Sequence, residues 1–207
     1  MGRMTKYEWE PFIQYGQKRI RKKGEILYSQ GEKGKGFYYL AEGKISFRLL
    51  SEDGEERIID YLLEGFLFGE QGVSNDNYYI TAMADTDVSL YYFSNESFVK
   101  ILKAHPNAKE VFISSIISKM RMLKETYAII NKPYEQQMAH FLMLLCEKHG
   151  SRTVPITQID LAQYIGTSRI TVYKIIQKWK KSNLAIQKKG VIEVIDPLGM
   201  KAIFEQA

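Results

Sequence analysis

Apolar and polar positions along the chain change period twice, and the changes divide it into three stretches. Between residues 18 and 94, short apolar runs are punctuated by Gly24, Gly31, Gly34, Gly36, Gly43, Gly54, Gly65, Gly69 and Gly72. Strand-like runs broken at regular intervals by glycine predict an antiparallel β barrel or sandwich. Phe37–Leu50 sets two apolar runs around Glu42-Gly43, and Ser51–Leu63 turns at Asp53-Gly54, so both segments are expected to be hairpins. The final strands of this stretch are expected over Tyr79–Ala84 and Val88–Phe93.

From Asn107 the period becomes helical, with Ile113, Ile116, Met120, Leu123, Tyr127 and Ile130 falling at alternating gaps of three and four. The pattern predicts a helix of roughly 25 residues with a narrow heptad seam. Such a stripe either packs on its own β domain or pairs with the same helix of a second copy, and its length and narrowness favour the homodimer. Asn131-Lys132-Pro133 ends it, because proline disfavours a helical residue before it and lacks an N–H, and this segment is expected to be the hinge between domains. The expected boundaries are residues 1–105 for the β domain, 106–131 for the long helix and 132–207 for the rest.

In the third stretch, Tyr134–His149 reads as a helix stopped by Gly150, and Ile156–Lys181 reads as two short helices around Gly166. Thr157 with Asp160 approximates a capping box for the first, whose buried side is expected to be Ile159, Leu161, Ala162 and Ile165. Thr167 or Ser168 caps the second, with Val172, Ile175, Ile176 and Trp179 inward and Arg169, Ile170, Tyr173, Lys174, Gln177 and Lys178 outward. Leu184–Asp196 is a further hairpin turning at Lys189-Gly190. This is the layout of a winged helix-turn-helix, whose second helix enters the DNA major groove by its N-terminal end.

Charge supports that partner. Residues 132–207 carry 11 Lys+Arg against 6 Asp+Glu, the whole of the net +5, whereas residues 1–131 are balanced. Common surface lysines would also give an excess, but confinement to one domain is what a phosphate-neutralising protein shows. Arg169 can grip a guanine through two acceptors, Lys174 can do so less directionally or hold a phosphate, and Ile170 offers apolar contact such as to a thymine methyl. Gln158, Ser168 and Thr171 are short donors suited to phosphates, as are Lys178, Lys188 and Lys189.

Other chemistries find little support. Cys146 is the single cysteine and lies in an apolar run, so it builds no disulfide framework or iron-sulfur cluster and is expected to be a small buried hydrophobe. His105, His140 and His149 show no ligand spacing, so no metal and no cofactor is expected. No paired carboxylates, nucleophile-histidine order or phosphate-cradling glycine motif suggests an enzyme. With neither a signal peptide nor a membrane span in view, a cytoplasmic setting is expected.

The chain resembles the CRP/FNR family of bacterial transcription regulators over nearly its whole length. IGTSRITVYKII (Ile165–Ile176) is similar to the family's recognition helix, and GFLFGEQG (Gly65–Gly72) to the turn of its effector-binding β-roll. The implied fold is α+β: a jelly-roll-like antiparallel β-roll, a dimerisation helix and a winged helix-turn-helix. In members that bind cyclic AMP, the Gly-Glu of that turn contacts ribose and phosphate, and a later Arg-Ser pair holds the cyclic phosphate. Here Gly69-Glu70 keeps the turn, but Tyr78-Tyr79 stands in the Arg-Ser position. A buried phosphate without a cation is several kcal/mol unfavourable, so cyclic AMP is not the expected ligand. Gly69 and Glu70 either bind a ligand or only form a turn.

The expectation is a homodimeric regulator of a near-palindromic site, controlled by another small-molecule effector. Its pocket would be lined by Gly69, Glu70, Tyr78, Tyr79, Met83, Met120, Leu123, Lys124 and Tyr127, unless these residues merely pack the roll against the helix. Expected partners are double-stranded DNA, a second copy, the effector and RNA polymerase. The alternative is a small-molecule or cyclic-nucleotide binding module whose helical domain makes protein contacts. On the recognition helix, Ile170 stands where the family usually has Glu and Lys174 where it has a second Arg, so a different base preference is expected.

Overall fold

Glycine-punctuated apolar runs in the first half form two four-stranded antiparallel sheets in the computed structural model, which describes residues 6, 8–52, 54, 56–188 and 190–205. One sheet has the order β1 (Gln17–Arg21), β8 (Val88–Ser94), β3 (Gly36–Glu42), β6 (Phe66–Phe68). The other has the order β2 (Ile26–Tyr28), β7 (Thr81–Ala84), β4 (Lys44–Leu50), β5 (Glu56–Leu63). The β4–β5 hairpin forms as expected, pairing Lys44 with Leu63 through Leu50 with Glu56, although Asp53 lies outside the described residues. Glu42-Gly43 is a corner and not a hairpin turn: β3 pairs with β6 and β8, whereas β4 crosses into the other sheet. Alternation shows which side chains face inward but leaves open which strand lies alongside.

Strand β3 separates two cores. Tyr38 and Leu40 point into the roll with Tyr28, Ile45, Phe68 and Tyr78, whereas Phe37 and Tyr39 point outward to Trp9, Phe12, Phe93, Phe98 and Phe112. Trp9 is 1% exposed and meets Phe12, Phe37 and Phe93 edge-on at 4.9–5.8 Å, a favoured aromatic geometry. Helix α1 (Asn95–Ala104), not anticipated as a separate element, starts where Ser94 accepts from the Ser97 N–H and sends Phe98 and Ile101 into the outer core.

The long helix α2 (Ala108–Ile129) enters this core through Ala108 and Phe112. One and two turns on, Ser115 Oγ donates to Glu70 at 2.9 Å, and Lys119 pairs with the same carboxylate while donating to the Leu67 carbonyl at 2.8 Å. The described chain divides into two compact units between Leu123 and Lys124, within α2.

In the second unit, Pro133 precedes α3 (Tyr134–His149), which ends at left-handed Gly150. The buried Gln137 amide donates to the carbonyls of Ile130 and Lys132 at 3.0 and 2.8 Å, satisfying groups that the end of α2 leaves unpaired. The expected hinge segment, residues 131–133, lies within the second unit, and the division of the chain falls earlier, between Leu123 and Lys124. Beyond it come β9 (Thr153–Val154), α4 (Gln158–Ile165), α5 (Arg169–Lys181), the wing strands β10 (Ala185–Lys188) and β11 (Val191–Val194), and α6 (Pro197–Glu205). The three strands form one antiparallel sheet, ordered β10, β11, β9.

Because the Glu70 side chain is only 8% exposed, removing its cation leaves a largely desolvated carboxylate. Lys119→Met is expected to destabilise the protein by about 2–3 kcal/mol, less than a fully dry pair because Lys119 reaches solvent. Urea unfolding measures the loss, and Glu70→Gln in the same chain should recover part of it. A loss below about 0.5 kcal/mol would class the pair with surface ion pairs.

Candidate nucleic-acid interface

The turn between α4 and α5 is built from local hydrogen bonds. Thr157 Oγ1 accepts from the Asp160 N–H at 3.1 Å and the Asp160 carboxylate accepts from the Thr157 N–H at 2.9 Å, closing the capping box. Gly166, at φ 72°, ends α4, and Ser168 caps α5 by accepting from the Thr171 N–H at 3.1 Å. Ile159 is 54% exposed, contrary to the expected buried side. Counting from the Thr157 cap puts it on the solvent face, and Tyr164 takes the inner position, stacked 3.5 Å from Phe141. Val172, Ile176 and Trp179 are buried and Ile175 half-buried, so the α5 stripe lies as its spacing predicts.

This packing leaves Arg169, Ile170, Tyr173 and Lys174 exposed on the first turns of α5, Ile170 to 67%. The first turn carries no acidic residue and the last carries Lys178, Lys180 and Lys181, so the positive end of the helix dipole is open to an anion. Gln158 is half-buried between α5 and the wing: its Nε2 donates to Gln187 Oε1 at 2.6 Å, and its Oε1 lies 3.4 Å from Arg169 Nε. Lys178 is exposed but paired with Glu135 at 2.7 Å, and the same carboxylate accepts from the buried Trp179 indole at 3.0 Å. The Ser168 and Thr171 hydroxyls face each other at 3.0 Å within the cap. Lys188 is exposed at the wing tip, and Lys189 lies outside the described residues. Sequence reasoning missed Glu135, Gln137 and Gln187, since no periodicity marks contacts made across 29 to 44 residues by Gln187 and Glu135.

The residues expected at an effector pocket are distributed differently. Tyr78 is inside the roll, stacked 3.8 Å from Tyr28, and donates to the Gly36 carbonyl at 3.1 Å. Burial raises the hydroxyl pKa values of Tyr28, Tyr38 and Tyr78 above the ordinary phenol value. Tyr79 is a bend residue, 65% exposed, and the strand begins only at Thr81. Met83 alternates with the inward-facing Ala82 and Ala84 and so points away from Tyr78. Gly69, at φ 72°, makes the turn, and Glu70 is held by Ser115 and Lys119. A cleft of about 240 Å³ in the first unit runs along Trp9, Leu67, Val111, Ser115, Ile117 and Arg121 and includes none of the nine expected pocket residues. On α2 and just beyond it, Ile113, Ile116, Met120, Leu123, Tyr127 and Ile130 are 38–79% exposed, and Lys124 is exposed beside them.

Cys146 is half-buried and burial pushes its thiol up to about 11, which makes it a poor nucleophile at neutral pH. His105 bonds to the Tyr15 hydroxyl at 3.1 Å, and His140 meets Phe204 edge-on. Among the described residues no helix is long and apolar enough to cross a membrane.

A β-roll, a long helix and a winged helix-turn-helix with a basic reading face define a regulator class in which a sensor-type domain is joined to a DNA-binding head. Residues 18–105 match the cyclic nucleotide-binding domain and residues 136–203 the Crp-like helix-turn-helix domain. The chain belongs to the CRP/FNR family of transcription regulators. It is 23% identical to the nitrogen fixation regulation protein FixK of Rhizobium meliloti, over 88% of this chain and 84% of the relative. It is 25% identical to the cAMP-activated global transcriptional regulator CRP of Salmonella typhimurium, over 76% and 80% of the two chains. The solved structure of FixK2 from Bradyrhizobium japonicum shares the fold at a TM-score of 0.82 and 16% identity, covering 93% of this chain and 98% of that one.

Glu135 holds α5 through Lys178 and Trp179. Glu135→Ala is expected to destabilise the protein by about 1–3 kcal/mol by leaving the buried Trp179 indole N–H without an acceptor. Denaturant unfolding followed by tryptophan fluorescence measures it, and an unchanged midpoint would show that the indole has another partner.

Proposed function

We propose that the protein is a homodimeric, sequence-specific regulator that binds a near-palindromic DNA site with one α5 helix in each of two successive major grooves. The observation that carries this reading is the N-terminal half of α5, where Arg169, Ile170 and Lys174 are exposed, no acidic residue opposes the positive end of the dipole, and a lysine-tipped wing lies alongside. Arg169 and Lys174 read base edges, Ile170 makes apolar contact, and Gln158, Ser168, Thr171, Lys178, Lys188 and Lys189 serve positioning and phosphates. A second copy covers the exposed stripe from Ile113 to Ile130, whose size exceeds the scattered apolar residues of a monomer surface. DNA as partner keeps the setting cytoplasmic, with RNA polymerase as the downstream partner.

The controlling signal in this reading is a small molecule other than cyclic AMP. Two features support that choice: Glu70 is already engaged by Lys119 and Ser115, and Tyr78-Tyr79 offers no cation for a cyclic phosphate. Among the expected pocket members of the first unit, Tyr79 is exposed and lies outside the stripe assigned to the second copy, so it remains open to a ligand. Such a ligand acts only through different affinities for two states of the dimer.

Arg169→Ala should cost about 1–3 kcal/mol on the preferred site and relax one base position, whereas Lys188→Ala should weaken all sequences alike and reduce the salt slope by about one. Shift assays at several salt concentrations separate the two, and equal behaviour would remove the assigned roles. Leu123→Glu should convert the dimer to a monomer in sedimentation velocity. A variant that stays dimeric would place the interface elsewhere.

A further inference from the structure

Arginine reads guanine in a bidentate way only when its guanidinium plane is held edge-on to the base. Arg169 begins α5, an exposed position where nothing in the helix itself fixes that plane. Its Nε faces Gln158 Oε1 at 3.4 Å, long for a hydrogen bond, from the first residue of α4. The contact uses Nε, which end-on bidentate reading leaves spare, so both terminal nitrogens stay available.

A glutamine amide can turn either its oxygen or its NH2 towards a neighbour, and only the oxygen suits a guanidinium. The other end of the Gln158 amide lies on the wing, where its NH2 donates to Gln187 Oε1 at 2.6 Å. Gln187 is half-buried on β10, opposite Ile192 of β11, so its backbone is fixed by the sheet. An acceptor at that place holds the NH2 of Gln158 and thereby directs its oxygen to Arg169. Three elements meet in this relay, and its members come from sequence positions 29 and 11 residues apart.

We propose that Gln187 is a positioning residue for base reading: without touching DNA, it orients Arg169 through Gln158 and so couples the wing to the specificity of α5. The inference rests on the reading of α5 as the DNA-contacting helix. It differs from the phosphate roles of the wing lysines, because its effect falls on discrimination and leaves the electrostatic component of binding alone.

The test compares full-length wild type, Gln187→Met, Gln187→Glu, Arg169→Ala and the Gln187→Met/Arg169→Ala double variant. Each is put through selection from a randomised duplex library and salt-titrated binding to the enriched site and its single-base variants. Gln187→Met, similar in length but lacking the amide acceptor, is expected to lower preference for one guanine by roughly three- to tenfold, part of the discrimination that a bidentate pair supplies, at an unchanged salt slope. Gln187→Glu keeps the acceptor and should keep that preference, while binding every sequence more weakly because of its charge. In the Arg169→Ala background, Gln187→Met should change nothing further at that base. Wild-type preference in Gln187→Met, an equal loss in the Arg169→Ala background, or lost preference in Gln187→Glu would each overturn the proposal. Enrichment of no sequence by wild type would instead overturn the DNA reading on which it stands.

Discussion

The contact of Lys119 and Ser115 with Glu70 fixes the rotation of α2 about its own axis, and much of the molecule follows from that. Ala108, Phe112, Ser115 and Lys119 recur at gaps of four, three and four, so they form one helical face, and all four are engaged by the N-terminal unit. Turning the helix to bury Met120 or Leu123 would withdraw Lys119 from a carboxylate that has little access to water. The apolar stripe therefore stays outward as long as the ion pair holds. Its exposed side chains are the ones whose heptad spacing suits a second helix. The same contact bears on the sensor question, since it occupies the acidic group of the turn that family resemblance associates with a nucleotide.

The second unit repeats the device of a polar side chain placing an element that apolar packing leaves free to slide. Two positions on the first turn of α3, two residues apart, take different tasks: Gln137 gathers the carbonyls of Ile130 and Lys132, and Glu135 receives the Trp179 indole and Lys178. The segment that follows α2 and helix α5 are thus fastened to the same turn of α3. Trp179 alone would supply buried area without a fixed axial position, whereas an indole N–H aimed at a carboxylate defines one.

Features set by neighbours in sequence were legible. Strand β8, α3, the capping box, the Gly166 turn and the inward stripe of α5 depend on short-range spacing and on side chains bonding backbone a few residues away. Errors arose where a tertiary neighbour decides. Ile159 carries the right side chain for a core, but the cap sets the phase of α4 and leaves that position in solvent. Tyr78 and Tyr79 look alike in sequence, yet one stacks on Tyr28 and the other projects from a bend. The Glu42-Gly43 corner carries a hairpin's residues, and its strands part because β3 and β4 each find partners elsewhere. Polar pairs such as Glu70 with Lys119 leave no local signature, because neither residue sits in a pattern that its partner's position completes.

The composition of the reading turn makes side-chain orientation unusually consequential here. Family resemblance implies a Glu after the first arginine and a second Arg one turn on, and this chain has Ile170 and Lys174 in those places. A sec-butyl side chain can favour a thymine methyl by contact but accepts no hydrogen bond, and an ammonium is a compact charge that attracts guanine and phosphate alike. Among Arg169, Ile170 and Lys174, Arg169 alone presents a fixed fork of donors. Under the proposed reading, a single directional donor per half-site loses more from a freely rotating guanidinium than three directional groups would. The proposed path from the wing through Gln158 to Arg169 would act at the point where that loss falls.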